Sequence, residues 1–183
     1  LQFSDAKLGA RCFDLFATLP SLESLDIDND SNNWRAAYLL SLTQCASLRH
    51  ITIGCASSHD PAATLQIIGQ LTQLQSLRFY AECKFIELAP LHNLLSLRAV
   101  QWAMWADSAA FPLLPKTVTS LSLLVSRRRS VALDALRDSL PELKELQLQS
   151  DDFAADKERA LRARPELEVK PCVLQQIRTW RSG

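Results

Sequence analysis

"LPELKELQLQSD", residues 140–151, sets Leu140, Leu143 and Leu146 three apart and then places Leu148 only two further on. A helix buries residues at steps of three and four, and a half-buried strand at steps of two, so the segment as a whole is neither. The same spacing, L-x-x-L-x-x-L-x-L with other apolar residues allowed, recurs in "LPSLESLDI" from Leu19, "CASLRHITI" from Cys45, "LTQLQSLRF" from Leu71 and "LHNLLSLRA" from Leu91. Two looser copies follow, "PKTVTSLSL" from Pro115 and "LRARPELEV" from Leu161; in the latter Arg164 occupies an apolar position. The third anchors, Leu25, Ile51, Leu77, Leu97, Leu121, Leu146 and Leu167, follow one another at steps of 26, 26, 20, 24, 25 and 21 residues.

The mixed spacing has a physical cause. The last two anchors of each copy alternate with period two and predict a short strand with one buried side. The earlier anchors line the turn leading into it. One copy cannot bury its apolar face alone, so neighbouring copies must stack.

Most segments between the strands read as helices. "DAKLGARCFDLFATL" places Leu8, Cys12, Leu15 and Leu19 on one predicted face, and "SVALDALRDSL" does the same with Leu133, Leu136 and Leu140. Asp60 before Pro61 is a predicted N-cap with proline at the first helical position. Ser130 and Asp151 are candidate caps of the same kind, and "ADSAAFPLLP" is expected to be irregular.

A period of 20–29 residues with this signature resembles the leucine-rich-repeat superfamily. The irregular periods, the cysteines and the helical returns are most similar to the repeats of F-box and ribonuclease-inhibitor-like proteins. The resemblance covers roughly residues 19–170 and implies an α/β right-handed solenoid, or horseshoe. Its concave side would carry a parallel sheet of about seven short strands, with mostly helical returns on the convex side. Residues 1–183 are then a single domain, with a capping helix in residues 1–18, repeats over 19–170 and a C-terminal cap in 171–183. No F-box motif occurs in these residues, so what carries over is architecture and an interaction function.

With 48% hydrophobic and 22% charged residues and a formal net charge of +0, the composition is that of a globular protein with no general attraction to polyanions. Nucleic acid is therefore not an expected partner. Even "VQWAMWADSAAFPLLP" is interrupted by Asp107 and two prolines, so no membrane span is expected. The chain starts at Leu1 without the basic start and apolar run of a signal peptide. Cys12, Cys45, Cys55, Cys83 and Cys172 are scattered and contain no CxxC pair, which reads as thiols of a reducing, intracellular compartment.

The side chains between the strand anchors are expected on the concave face, which at about 4.8 Å per strand is roughly 30 Å long. They give acidic ends, with Asp26 and Asp28 at the front and Glu166 and Glu168 at the back, and a cationic aromatic centre of Arg78, Tyr80, Arg98 and Trp102. His50, Gln147 and Gln149 belong to the same predicted surface. Arginine, tyrosine and tryptophan dominate interface hot spots, so this centre is the candidate site for another protein. The alternative is structural: Arg78 and Arg98 neutralise neighbouring acids, and Trp102 packs under the loop toward "AMWAD".

The three histidines, His50, His59 and His92, are far apart in the repeat frame, and no convergent catalytic set is apparent. Cys55, His59 and Cys83 lack an apparent fourth zinc ligand and a recognised spacing. No enzyme activity, cofactor or metal is expected. "SRRRS" reads as a solvated loop, or as a site where a basophilic kinase modifies Ser130, whose phosphate would favour a helix N-terminus. The expected function is a protein-binding scaffold, either the recognition part of an F-box-type ubiquitin-ligase adaptor or an accessory subunit of a large complex.

Overall fold

The period-two anchors that close each nonapeptide lie on one side of a short strand. In the computed structural model, which describes residues 1–4, 8–28, 35–54, 60–80, 85–104, 114–125, 133, 136–150 and 152–172, eight strands form one open sheet in sequence order. They are β1 (Gln2–Ser4), β2 (Ser24–Asp28), β3 (His50–Gly54), β4 (Ser76–Tyr80), β5 (Ala99–Met104), β6 (Ser120–Val125), β7 (Glu145–Gln149) and β8 (Glu168–Pro171). Every neighbouring pair is parallel, which requires a crossover between successive strands. The crossovers contain α1 (Ala10–Ala17), a 3-10 helix over Ala36–Gln44, α2 (Pro61–Ile68), a 3-10 helix over Phe85–Asn93, α3 (Leu136–Ser139) and α4 (Phe153–Ala163).

The strand register aligns Leu25, Ile51, Leu77, Val100, Leu121, Leu146 and Val169 in one row. A second row runs from Phe3 through Ile27, Ile53, Phe79, Trp102 and Leu123 to Leu148. Together with the turn anchors, the side chains of these two rows from Leu25 and Ile27 onward make one continuous core. Backbone bonds fix the register at the start of each strand. The carbonyl of Glu23 accepts from the amides of both Arg49 and His50, that of Arg49 from Gln75 and Ser76, and that of Gln75 from Arg98 and Ala99. Arg98 and Thr119 continue the pattern with Thr119 and Ser120, then Lys144 and Glu145.

The turns are tied together by side chains. The Ser47 hydroxyl donates to the Leu22 carbonyl at 3.0 Å, the Gln73 amide to the Cys45 carbonyl at 2.8 Å, and the Thr117 hydroxyl to the Leu97 carbonyl at 2.9 Å. Each gives a carbonyl of an earlier unit a hydrogen-bond donor across the turn. In the last unit the corresponding residue is Glu166, which cannot donate when ionised. Arg164, although at an apolar anchor position, is buried there and donates to the carbonyls of Leu140, Pro141 and Leu143 at 2.8, 3.3 and 3.0 Å. Its Nε pairs with Glu166.

Asp60 caps α2 as its sequence implies, its carboxylate accepting from the Ala63 amide at 2.8 Å with Pro61 following. Leu133, Leu136 and Leu140 are buried as the spacing predicts. Four features differ from expectation.

First, the sheet has eight strands, because residues 2–4 form β1 where only a capping helix was expected in residues 1–18. Second, α1 buries Phe13 and Phe16, while Leu15 and Leu19 are 65% and 41% exposed; two aromatic rings three residues apart bury more apolar area than the leucine face does. Third, the unit expected to end on Leu97 and Ala99 is framed three residues later, on Val100 and Trp102. Leu91, Leu94, Leu97 and Val100 are all three apart, so spacing admits both frames, and the frame that buries an indole instead of a methyl group hides far more apolar surface. Fourth, Val169, not Leu167, aligns with Leu146, which removes Glu166 from the last strand. The corrected steps are 26, 26, 23, 21, 25 and 23 residues. α4 is capped by Asp152; Pro171, expected to open the C-terminal cap of 171–183, ends β8 instead, and Ser130, Asp151 and residues 173–183 lie outside the described residues.

Candidate surface on the open face of the sheet

Side chains that alternate with the anchors project from the other side of the sheet. The central row follows directly from the register: Gln2 beside Asp26, Asp26 beside Thr52, Thr52 beside Arg78, then Gln101, Ser122, Gln147 and Lys170. Eight strands at about 4.8 Å make this row roughly 34 Å long. On one side of it lie Ser24, His50, Ser76, Ala99, Ser120, Glu145 and Glu168, and on the other Asp28, Gly54 and Tyr80.

Several expected site residues belong to this surface. Arg78 and His50 are exposed, Asp26, Tyr80 and Gln147 are half-buried, and Gln149 is exposed at the end of β7. Asp28 ends β2, with its side chain outside the described set, and Ser130, Cys55, His59 and Cys83 also lie outside it.

Two members of the expected central cluster do not. Trp102 is 4% exposed and stacks against Phe79 in the core, so it is not on the partner face. Arg98 precedes β5, and its Nη1 donates to the carbonyls of Leu95, Leu97 and Thr117 at 2.9, 3.2 and 3.4 Å. Arg49 holds the equivalent place two strands earlier, before β3, bonding the carbonyls of Ala46 and Leu48. Both arginines close the turn that leads into their strand. The three-residue change of frame removes Arg98 and Trp102 together, and it brings in Gln101, which sequence reasoning missed. A tryptophan two positions after Val100 is the signal that could have found it.

The face is electrostatically divided. At the back, Lys170 pairs with Glu145 at 3.3 Å and with Glu168 at 3.0 Å. Gln147 donates to Glu145 at 3.1 Å and Ser120 to its other oxygen at 3.2 Å. The Gln147 hydrogen bond, helped by Lys170 and Ser120, holds the Glu145 carboxyl below its ordinary range against the opposing effect of burial. Hydrogen bonds to Glu168 and Glu145 push the Lys170 ammonium up.

At the front the situation is reversed. Burial pushes the Asp26 carboxyl up, only partly offset by the Arg78 guanidinium and the amino end of the chain. Its Oδ1 is buried and has no hydrogen-bond partner among the described residues. Arg78 is exposed two strands away, within electrostatic reach of Asp26.

Elsewhere, Cys12, Cys45 and Cys172 are free thiols, and Cys172 Sγ lies 3.2 Å from the hydroxyl of buried Ser122. Among the described residues no helix is long and apolar enough to cross a membrane. No protein-family model and no curated protein sequence matches the chain.

Proposed function

We propose that the chain is a non-catalytic protein-binding module of the leucine-rich-repeat type. In this reading the repeats stack as a solenoid, and the open face of the sheet is the concave side that receives a partner protein. The observation that carries it is the continuous row from Asp26 to Lys170, in which seven repeat units contribute one polar or charged side chain each. A surface roughly 30 Å long that carries an exposed arginine, Arg78, is of the size and composition that stable recognition uses. The substrate-recognition part of an F-box-type adaptor is the function the resemblance favours, and the free thiols support a reducing compartment.

A second reading, an accessory subunit enclosed by its neighbours, draws on Leu15, Leu40 and Leu95, which are 65%, 49% and 69% exposed away from the strands. A neighbour covering them would remove that apolar area from water.

Affinity purification with quantitative mass spectrometry, followed by cross-linking of the recovered complex, tests both. Cross-links from β3–β6 to one stoichiometric protein support the module; cross-links confined to α1 and the two 3-10 helices favour the enclosed subunit. Recovery of no stoichiometric protein would sink both.

A further inference from the structure

The two halves of the open face differ in how completely their charges are satisfied. Glu145 and Glu168 share the Lys170 ammonium, so each of the three charges has an ion-pair partner, and Ser120 and Gln147 complete the hydrogen bonding of Glu145. Nothing in that network requires a ligand. On β2–β4 the Asp26 carboxylate keeps one oxygen buried without a donor among the described residues, and the exposed Arg78 guanidinium reaches it only through space, two strands away. A carboxylate left in that state costs free energy in the unbound protein, and a partner cation set over the half-buried group offsets that cost with a charge-assisted interaction.

Thr52 lies between Asp26 and Arg78 in the central row. Two strand spacings separate the charged residues, about 9.6 Å. We propose that the β2–β4 part of the face recognises a protein segment that sets a lysine or arginine over Asp26 and a carboxylate over Arg78, the two about 10 Å apart on one side of the segment. This rests on the docking function above and deepens it, moving the recognition centre from the middle of the sheet toward its front. A polyproline-type segment meets the spacing with charges three residues apart, since its three-residue turn advances about 9.3 Å along one edge. Opposite charges in the reverse places would be repelled at both ends, so the pair also sets orientation.

The test titrates the full chain, labelled for amide NMR, with a capped octapeptide of sequence Pro-Pro-Lys-Pro-Pro-Glu-Pro-Pro. Shifts confined to β2–β4, weakened about fivefold or more when norleucine replaces the lysine or when the protein carries Asp26→Asn, are the expected result. Absence of shifts, or shifts indifferent to both changes, would overturn the inference. A second arm uses the stoichiometric partner recovered by purification and compares Asp26→Asn with Gln147→Arg. Sensitivity to Asp26→Asn is expected. Loss of binding with Gln147→Arg alone overturns the front-half assignment and leaves docking on the face intact, and indifference to both overturns docking as well.

Discussion

Trp102 stacks against Phe79 from the neighbouring strand, ring centroids 5.0 Å apart and planes 33° from parallel, on the buried side of the sheet. Both rings therefore act as strand anchors, in register with Leu123 on the next strand. Trp102→Ala is expected to destabilise the fold by about 3–5 kcal/mol, the usual cost of deleting a buried aromatic ring, as read by urea denaturation. Arg78→Ala, an exposed change on the opposite side, is expected to stay within about 0.5 kcal/mol of the unmodified chain. Equal effects of the two would contradict this placement.

The repeat was legible because it needs only apolar spacing: Leu146 and Leu148, or Ile51 and Ile53, announce a strand without help from the rest of the chain. Where spacing is degenerate, legibility ends. Leu91, Leu94, Leu97 and Val100 fit two frames, and the choice depends on how much surface Trp102 hides, a tertiary quantity. β1 was illegible for a different reason. Only one row-forming pair, Phe3 with Ile27, identifies it, and three residues carry no period. The face residues Asp26, Arg78 and Gln147 followed from correctly framed units, and Arg98 and Trp102 failed with the one wrongly framed. That a face receives a partner is inferred from the repeat; which of its charges lack partners among the described residues depends on three-dimensional placement.

Arg164, at an anchor position, serves the Leu143 carbonyl as Thr117 serves that of Leu97, a part that an ionised Glu166 cannot take. Arg164→Leu restores the consensus yet strips donors from three carbonyls, and is expected to cost about 2–4 kcal/mol. Adding Glu166→Thr should return about 1 kcal/mol by supplying a hydroxyl donor. Chemical denaturation of the single and double variants measures both steps, and a neutral Arg164→Leu would remove the arginine's structural role.

Gly69 closes α2, and a Cβ there would lie 2.6 Å from the Pro90 carbonyl oxygen and 2.8 Å from the Pro90 Cβ. Its backbone is right-handed helical, so helix propensity alone predicts that alanine stabilises by up to about 1 kcal/mol. The close approach of the two crossovers predicts the opposite sign, because neither a carbonyl nor a proline ring can rotate away. Gly69→Ala is expected to cost about 1–3 kcal/mol. A rise in melting temperature would show that α2 and the second 3-10 helix are packed less tightly than this.

Asp26 and Glu145 should respond to acid in opposite directions. Burial raises the folded pKa of Asp26 above its ordinary 3.8, so between those values the native state holds more protons than the unfolded one. Its contribution therefore opposes folding at neutral pH and is relieved as the pH falls through the raised value. Glu145, held below its ordinary 4.5 by Gln147 above all, stabilises at neutral pH and loses that contribution as the pH falls through its lowered value. Asp26→Asn should thus melt higher than the unmodified chain at pH 7, with the difference vanishing below about pH 3.8. Glu145→Gln should melt lower at pH 7, the gap narrowing once the unmodified carboxyl is protonated. Melting curves across that range check both signs. A lower melting temperature for Asp26→Asn at pH 7 would make this carboxylate a structural group, and the donor it lacks would then have to come from the chain itself.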